Sequence, residues 1–205
     1  MTAIGMARRV AIGGDSALLD HIARPDTALA IWWRRLPPPL RAALDALDLN
    51  GVDSLSVETD LGGSVEASLH AAGYARAVCE MLGADIDRLV RRLAALSGED
   101  RLRVRLAVGH GGDGHQFHAD RTRLALRCTY IGPGIQWCCV DGLDAICEVP
   151  TGAVGVFKGR MLLDPPMILH RAPPGGDRRL VLAIEPAHGG EWERSLPILP
   201  SADPC

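Results

Sequence analysis

Gln116-Phe117-His118-Ala119-Asp120 and Met167-Ile168-Leu169-His170-Arg171-Ala172-Pro173-Pro174 are the two stretches that decide how this chain is read. The first holds an H-x-D. On a strand, positions i and i+2 face the same way, so His118 and Asp120 would present an imidazole and a carboxylate to one metal ion. Alone this signal is weak, because surface loops carry it by chance. His170 changes the reading: it ends an apolar run that has the character of a strand, and a Pro/Gly-rich turn follows it. Two histidines and one carboxylate form a facial triad, which leaves the opposite side of a metal open. Iron(II) is the expected metal. Zn(II) fits the same donors, since affinity alone does not select between them.

A cation pair follows. Arg178 and Arg179 open the strand-like run Leu180-Val181-Leu182-Ala183-Ile184. A guanidinium matches a carboxylate through two parallel hydrogen bonds, so one of these arginines suits the far end of a dicarboxylate ligand. Adjacent strand positions face opposite ways. Arg179 is assigned inward, and Arg178 is read as the solvated end of a hairpin.

Outward from these motifs the chain divides in texture. From residue 100 onward it is β-like. Arg101–Val108 alternates polar and apolar residues. Leu124–Ile131, Val154–Phe157, Met167–Leu169 and Leu180–Pro186 are further strands, separated by Gly/Pro/Asp clusters at 132–134, 163–166 and 172–177. Short strands of this kind predict a sandwich or barrel. Residues 1–99 read as a helical region packed on that core. Asp26 precedes a helix through TALAIWWRRL, stopped by Pro37, Pro38 and Pro39. A second helix runs from Pro39 to about Asn50. A longer stretch runs between Val65 and Leu96, broken at Gly83 and stopped at Ser97-Gly98.

Composition narrows the function classes. The 205 residues are 47% hydrophobic and 23% charged, as expected of a soluble globular chain. A net charge of −3 predicts no electrostatic affinity for nucleic acid or an anionic membrane. Six cysteines occur without a C-x-x-C pair, so reduced thiols are expected rather than a zinc ribbon or disulfide framework. The first ten residues lack the apolar core of a signal peptide, and no apolar run reaches transmembrane length. A cytoplasmic location is the expectation.

Val149-Pro150-Thr151-Gly152, then VGVFKGR, His170, GGDRR and an apolar strand resemble Fe(II)/2-oxoglutarate dioxygenases of the prolyl-hydroxylase type over roughly residues 105–186. That resemblance implies an α+β fold with a double-stranded β-helix core at 100–205. It also implies Fe(II) and 2-oxoglutarate as cofactors, dioxygen as a co-reactant, and His118, Asp120 and His170 as the catalytic metal ligands. Arg179 would hold the far carboxylate of 2-oxoglutarate. A tyrosine that hydrogen-bonds the cosubstrate in such enzymes maps to Tyr130, for which a core role is an equal alternative.

A closer likeness is to the bacterial family DUF1826. It rests on Phe117–Asp120, Thr129–Trp137, Lys158-Gly159 and His170–Pro174. This resemblance hints at metal homeostasis and at a link to metallochaperone systems.

Around the triad, Trp137 is a candidate substrate wall and equally an apolar lid. Lys158 and Arg123 are candidates of second rank, and Arg127 is a further cation nearby. His110 and His115 lie in a glycine-rich stretch that reads as a mouth loop rather than a second metal site. Two functions compete: a 2-oxoglutarate-dependent oxygenase acting on a substrate the motifs do not name, and a non-catalytic metal binder of the same fold serving zinc or iron. A cupin-type dioxygenase without 2-oxoglutarate is weaker, because cupins more often present H-x-H and a glutamate.

Overall fold

A computed structural model describes residues 9–110, 116–175 and 178–187. The fold is α+β, with a double-stranded β-helix core made of two facing sheets. Ten strands are described: β1 (Val10–Gly13), β2 (Leu29–Trp32), β3 (Leu55–Asp60), β4 (Arg101–His110), β5 (Leu124–Ile131), β6 (Ile135–Cys139), β7 (Gly142–Val149), β8 (Val154–Lys158), β9 (Ile168–Arg171) and β10 (Arg178–Pro186). The larger sheet has the order β1-β2-β8-β5-β10-β4-β3, and the smaller has β7-β6-β9. All pairs are antiparallel except β1 with β2.

The two faces of the larger sheet bury different things. Leu124, Leu126, Cys128, Tyr130, Leu180, Leu182 and Ile184 meet the helices in one core. The other face carries Leu29, Ile31 and Phe157, which pack against Ile135, Trp137, Cys139 and Ile168 of the smaller sheet. Strand parity therefore places Arg127 and Thr129 of β5, and Arg179, Val181, Ala183 and Glu185 of β10, on the face turned into the barrel.

The helices cover the outer face. They are a 3-10 helix (Ser16–Ala23), α1 (Pro38–Asp45), α2 (Glu66–Ala71) and α3 (Arg76–Ser97). α3 stops at Gly98, which takes the left-handed conformation at φ 73, as its sequence predicts. The Val65–Leu96 stretch does break in two, but at Gly73 rather than Gly83. Gly73 has φ 89, and the carbonyl oxygen of Gly51 stands 3.0 Å from where a Cβ would be, so only glycine turns the chain there. Gly83 lies inside α3, where α2 approaches it through Glu66.

The helix expected through TALAIWWRRL is instead strand β2. Ala30 is buried toward the helices, and Leu29 and Ile31 toward the barrel. A strand covered on both faces shows a continuous apolar run, which periodicity does not separate from a buried helix. With β1 and β3, this strand joins a region read as helical to the larger sheet. α1 ends at Asp45, short of Asn50, where Asp48 instead accepts the Asn50 backbone N–H in a turn at 2.9 Å.

None of the five described cysteines forms a disulfide. No helix among the described residues is long and apolar enough to cross a membrane.

Candidate metal centre

His118 and Asp120 lie in a short extended segment before β5, outside any full strand. That segment adds itself to the smaller sheet through a single antiparallel bridge between His118 and His170 of β9. His118 N–H donates to His170 O at 3.0 Å, and His170 N–H donates to His118 O at 2.8 Å. The two histidines are thus held opposite each other by their own backbones, with ring centroids 4.6 Å apart and the rings inclined at 54°. Asp120 is fixed through its carbonyl, which accepts from Arg160 N–H at 2.9 Å just beyond β8.

One donor atom from each of His118, Asp120 and His170 lies within 4.8 Å of the others, and no other such group of three occurs among the described residues. Asp120 Oδ2 is 3.5 Å from His170 Nε2, and Oδ1 is 3.9 Å from His118 Nε2. His118 Nδ1–H donates to Gln116 O at 2.9 Å, which turns the Nε2 lone pair toward the site. Burial, then the neighbouring His170, lowers the His118 pKa, so this ring is neutral near pH 7 and free to ligate. Burial pushes the Asp120 carboxyl upward, but the Arg127 guanidinium and His170 outweigh it and hold the group well below the ordinary carboxylate range. Arg127 Nη2 donates to Asp120 Oδ2 at 2.7 Å.

Two imidazole nitrogens and an ionised carboxylate fit a divalent metal. Two buried donors on the barrel side, Arg127 Nη1 and Trp137 Nε1, have no hydrogen-bond acceptor among the described residues. Unmatched donors beside a metal triad fit a ligand that offers oxygen acceptors.

Arg179 is buried on the inner face. Its Nε donates to Pro133 O at 2.8 Å, and its Nη2 is 3.4 Å from Thr129 Oγ1. Burial lowers its pKa, and Glu148 opposes that. The Gly132-Pro133-Gly134 turn is shaped to this side chain: a Cβ on Gly132 would stand 2.8 Å from Arg179 Cγ. Thr151 Oγ1 holds the turn by donating to Gly132 O at 2.6 Å.

The other expected site residues divide. Trp137 stands opposite His170 in register and is 3% exposed, within the barrel core. Tyr130 is corrected: it faces the helices, and its hydroxyl donates to Asp85 Oδ2 at 2.7 Å. Arg178, the second candidate for the cosubstrate carboxylate, is corrected in that role and keeps the outward orientation expected of the hairpin end. It turns outward to Leu49 O at 2.9 Å and to the Asn50 side chain. Lys158 shares the outward parity of Val154 and Val156, and its ammonium meets Arg24 O. Arg123 is exposed, and its carbonyl accepts from Gly159 N–H at 3.0 Å. The His110 side chain and His115 lie outside the described residues.

Sequence reasoning gave no role to Thr129 or Glu185, and named Arg127 only as a nearby cation. Glu185 is half-buried on the inner face. Burial raises its pKa, and Arg127 opposes the rise. Parity along β5 and β10 was the signal for all three.

Among solved structures, the chain is similar to dioxygenase for auxin oxidation 1 from Arabidopsis thaliana, solved as a complex with 2-oxoglutarate. The TM-score is 0.51 at 12% identity, over 92% of this chain and 94% of that one. It is also similar to a Pseudomonas putida prolyl-4-hydroxylase, with a TM-score of 0.49 at 18% identity, over 83% of this chain and 96% of that one. No curated protein matches the sequence. The family model described as "Protein of unknown function (DUF1826)" matches residues 13–185, and the chain belongs to that family.

Proposed function

We propose that this protein is an Fe(II)- and 2-oxoglutarate-dependent oxygenase. The observation that carries the reading is the convergence of His118, Asp120 and His170 inside a double-stranded β-helix whose inner face also buries Arg179. In this reading the triad holds iron. Arg179, supported by Thr129 and the Pro133 carbonyl, pairs with the far carboxylate of 2-oxoglutarate. Iron and 2-oxoglutarate, when bound, supply the oxidation of a primary substrate by dioxygen.

The chain's own residues prepare the site. Gln116 fixes the His118 tautomer. Arg127 keeps Asp120 ionised and offsets its charge. Trp137, Phe157 and Ile168 keep water from the inner side of His170; the Phe157 ring centroid is 4.8 Å from that of His170.

The test is calorimetric titration of 2-oxoglutarate into Fe(II)-loaded protein under nitrogen. Wild type binds. Arg179→Ala loses an interaction between charged groups worth about 1.5–3 kcal/mol, a weakening of roughly tenfold to a hundredfold, with metal affinity unchanged. No binding to wild type would remove the oxygenase reading and leave a metal-binding protein.

A further inference from the structure

We propose that Arg127 is a second cosubstrate residue: one nitrogen of its guanidinium holds the metal ligand Asp120, and the other binds the carboxylate of a ligand that chelates the metal. This rests on the oxygenase reading above. The chemical class is a 2-oxo acid or another small oxygen chelator.

Arg127 lies on the inner face of β5 with its side chain 12% exposed. Its Nη2 is committed to Asp120 Oδ2. Its Nη1 is buried and has no acceptor among the described residues. A guanidinium is planar and presents its donors in a fixed fork, so Nη1 must sit beside the nitrogen that holds Asp120. An acceptor that satisfies Nη1 therefore lies next to the ligand cluster itself.

The residues level with Arg127 on the flanking strands do not provide that acceptor, and Glu185, further along β10, acts on Arg127 through its charge without a hydrogen bond. The register neighbours of Arg127 are Gly155 on β8 and Ala183 on β10, and neither has a polar side chain. Desolvating a charged donor without a partner is costly, and a bound anion removes that cost.

The two inner arginines then mark the ends of one slot. Arg127 is level with Ala183, which stands four residues along β10 from Arg179. That is roughly 13 Å of strand, and Arg179 Nη2 reaches back along it to Thr129 Oγ1 at 3.4 Å. Thr129 lies between them on the same face.

The experiment separates the two ends of the ligand. Co(II) replaces iron in saturating excess under nitrogen, so that every variant is loaded, and its visible absorption reports changes at the metal. Oxalate carries the chelating end alone, and 2-oxoglutarate carries both ends. Arg127→Gln is expected to weaken oxalate and 2-oxoglutarate at least tenfold each. Arg127→Lys keeps the charge but not the fork, and is expected to weaken oxalate as well. Arg179→Ala should weaken 2-oxoglutarate and leave oxalate unchanged. Equal oxalate affinity in wild type and in both Arg127 variants would overturn the proposal and confine Arg127 to Asp120. A wild type that binds neither oxalate nor 2-oxoglutarate would overturn the oxygenase reading with it.

Discussion

Thr129 and Tyr130 are neighbours on β5, and one step of register separates their fates. Thr129 faces Arg179 inside the barrel, whereas Tyr130 faces the helices and donates to the buried Asp85. A hydrogen bond to a charged acceptor is worth about 1.5–3 kcal/mol. Tyr130→Phe should therefore lower unfolding stability by about that amount in urea titration, and leave 2-oxoglutarate affinity unchanged. A loss of cosubstrate binding with unchanged stability would restore Tyr130 to the site. The triad was legible because its donor chemistry is written into residue types. Arg127 was not, because its role depends on which face of β5 is the inner one. That is decided by the apolar set Leu124, Leu126 and Cys128 packing on helices far away in the chain.

At the scale of elements, the turn after β8 positions Asp120. Gly159 packs so closely that a Cβ would stand 2.1 Å from Thr122 O and 2.8 Å from Asp120 O. The segment from Asp120 to Arg123 is laced to this turn by the N–H groups of Gly159, Arg160 and Met161. Gly159→Ala must displace that segment. The expected result is at least a tenfold loss of metal affinity in a chain whose circular dichroism is unchanged; full metal affinity would show that the turn yields instead. This accounts for the Lys-Gly pair in the sequence by its glycine rather than its lysine. The strands β4, β5, β8, β9 and β10 were legible from alternation or from apolar runs between turn residues. β6 and β7 were passed over, and β2 was taken for a helix. What sets β2 apart is tertiary: a sheet on one side and helices on the other bury Leu29, Ala30 and Ile31 alike.

Across the whole molecule, one buried ion pair within the N-terminal half is hydrogen-bonded to the barrel through Tyr130 and Gly152. Arg34, just after β2, meets Asp85 of α3 with two hydrogen bonds of 2.6 and 2.7 Å, and Tyr130 of β5 joins them. Arg34 Nε also donates to Gly152 O at 3.0 Å. Burial raises the Asp85 pKa, but the hydrogen bonds and charge of Arg34 outweigh it and leave the group below its ordinary value. A carboxyl depressed in the folded state stabilises fully above its unfolded pKa of about 4, and that stability is lost as pH falls through the folded value. Urea midpoints should therefore hold from pH 7 to about 5 and fall below about 4. Asp85→Asn leaves Arg34 buried without a counter-charge. It should cost about 3–5 kcal/mol at pH 7 and flatten the acid limb. An unaltered acid limb in that variant would assign the effect to other carboxylates.

The reciprocal amide pair between His118 and His170 carries a consequence for heredity as much as for chemistry. The spacing of these two ligands is set by peptide groups, which every residue except proline supplies. Replacement of neighbouring side chains can alter which ion is preferred or which substrate is oxidised without resetting the distance between the two imidazoles. A lineage can drift in everything around this clasp and still keep a place for a metal, and a descendant that lost one histidine would need a single codon change to regain it.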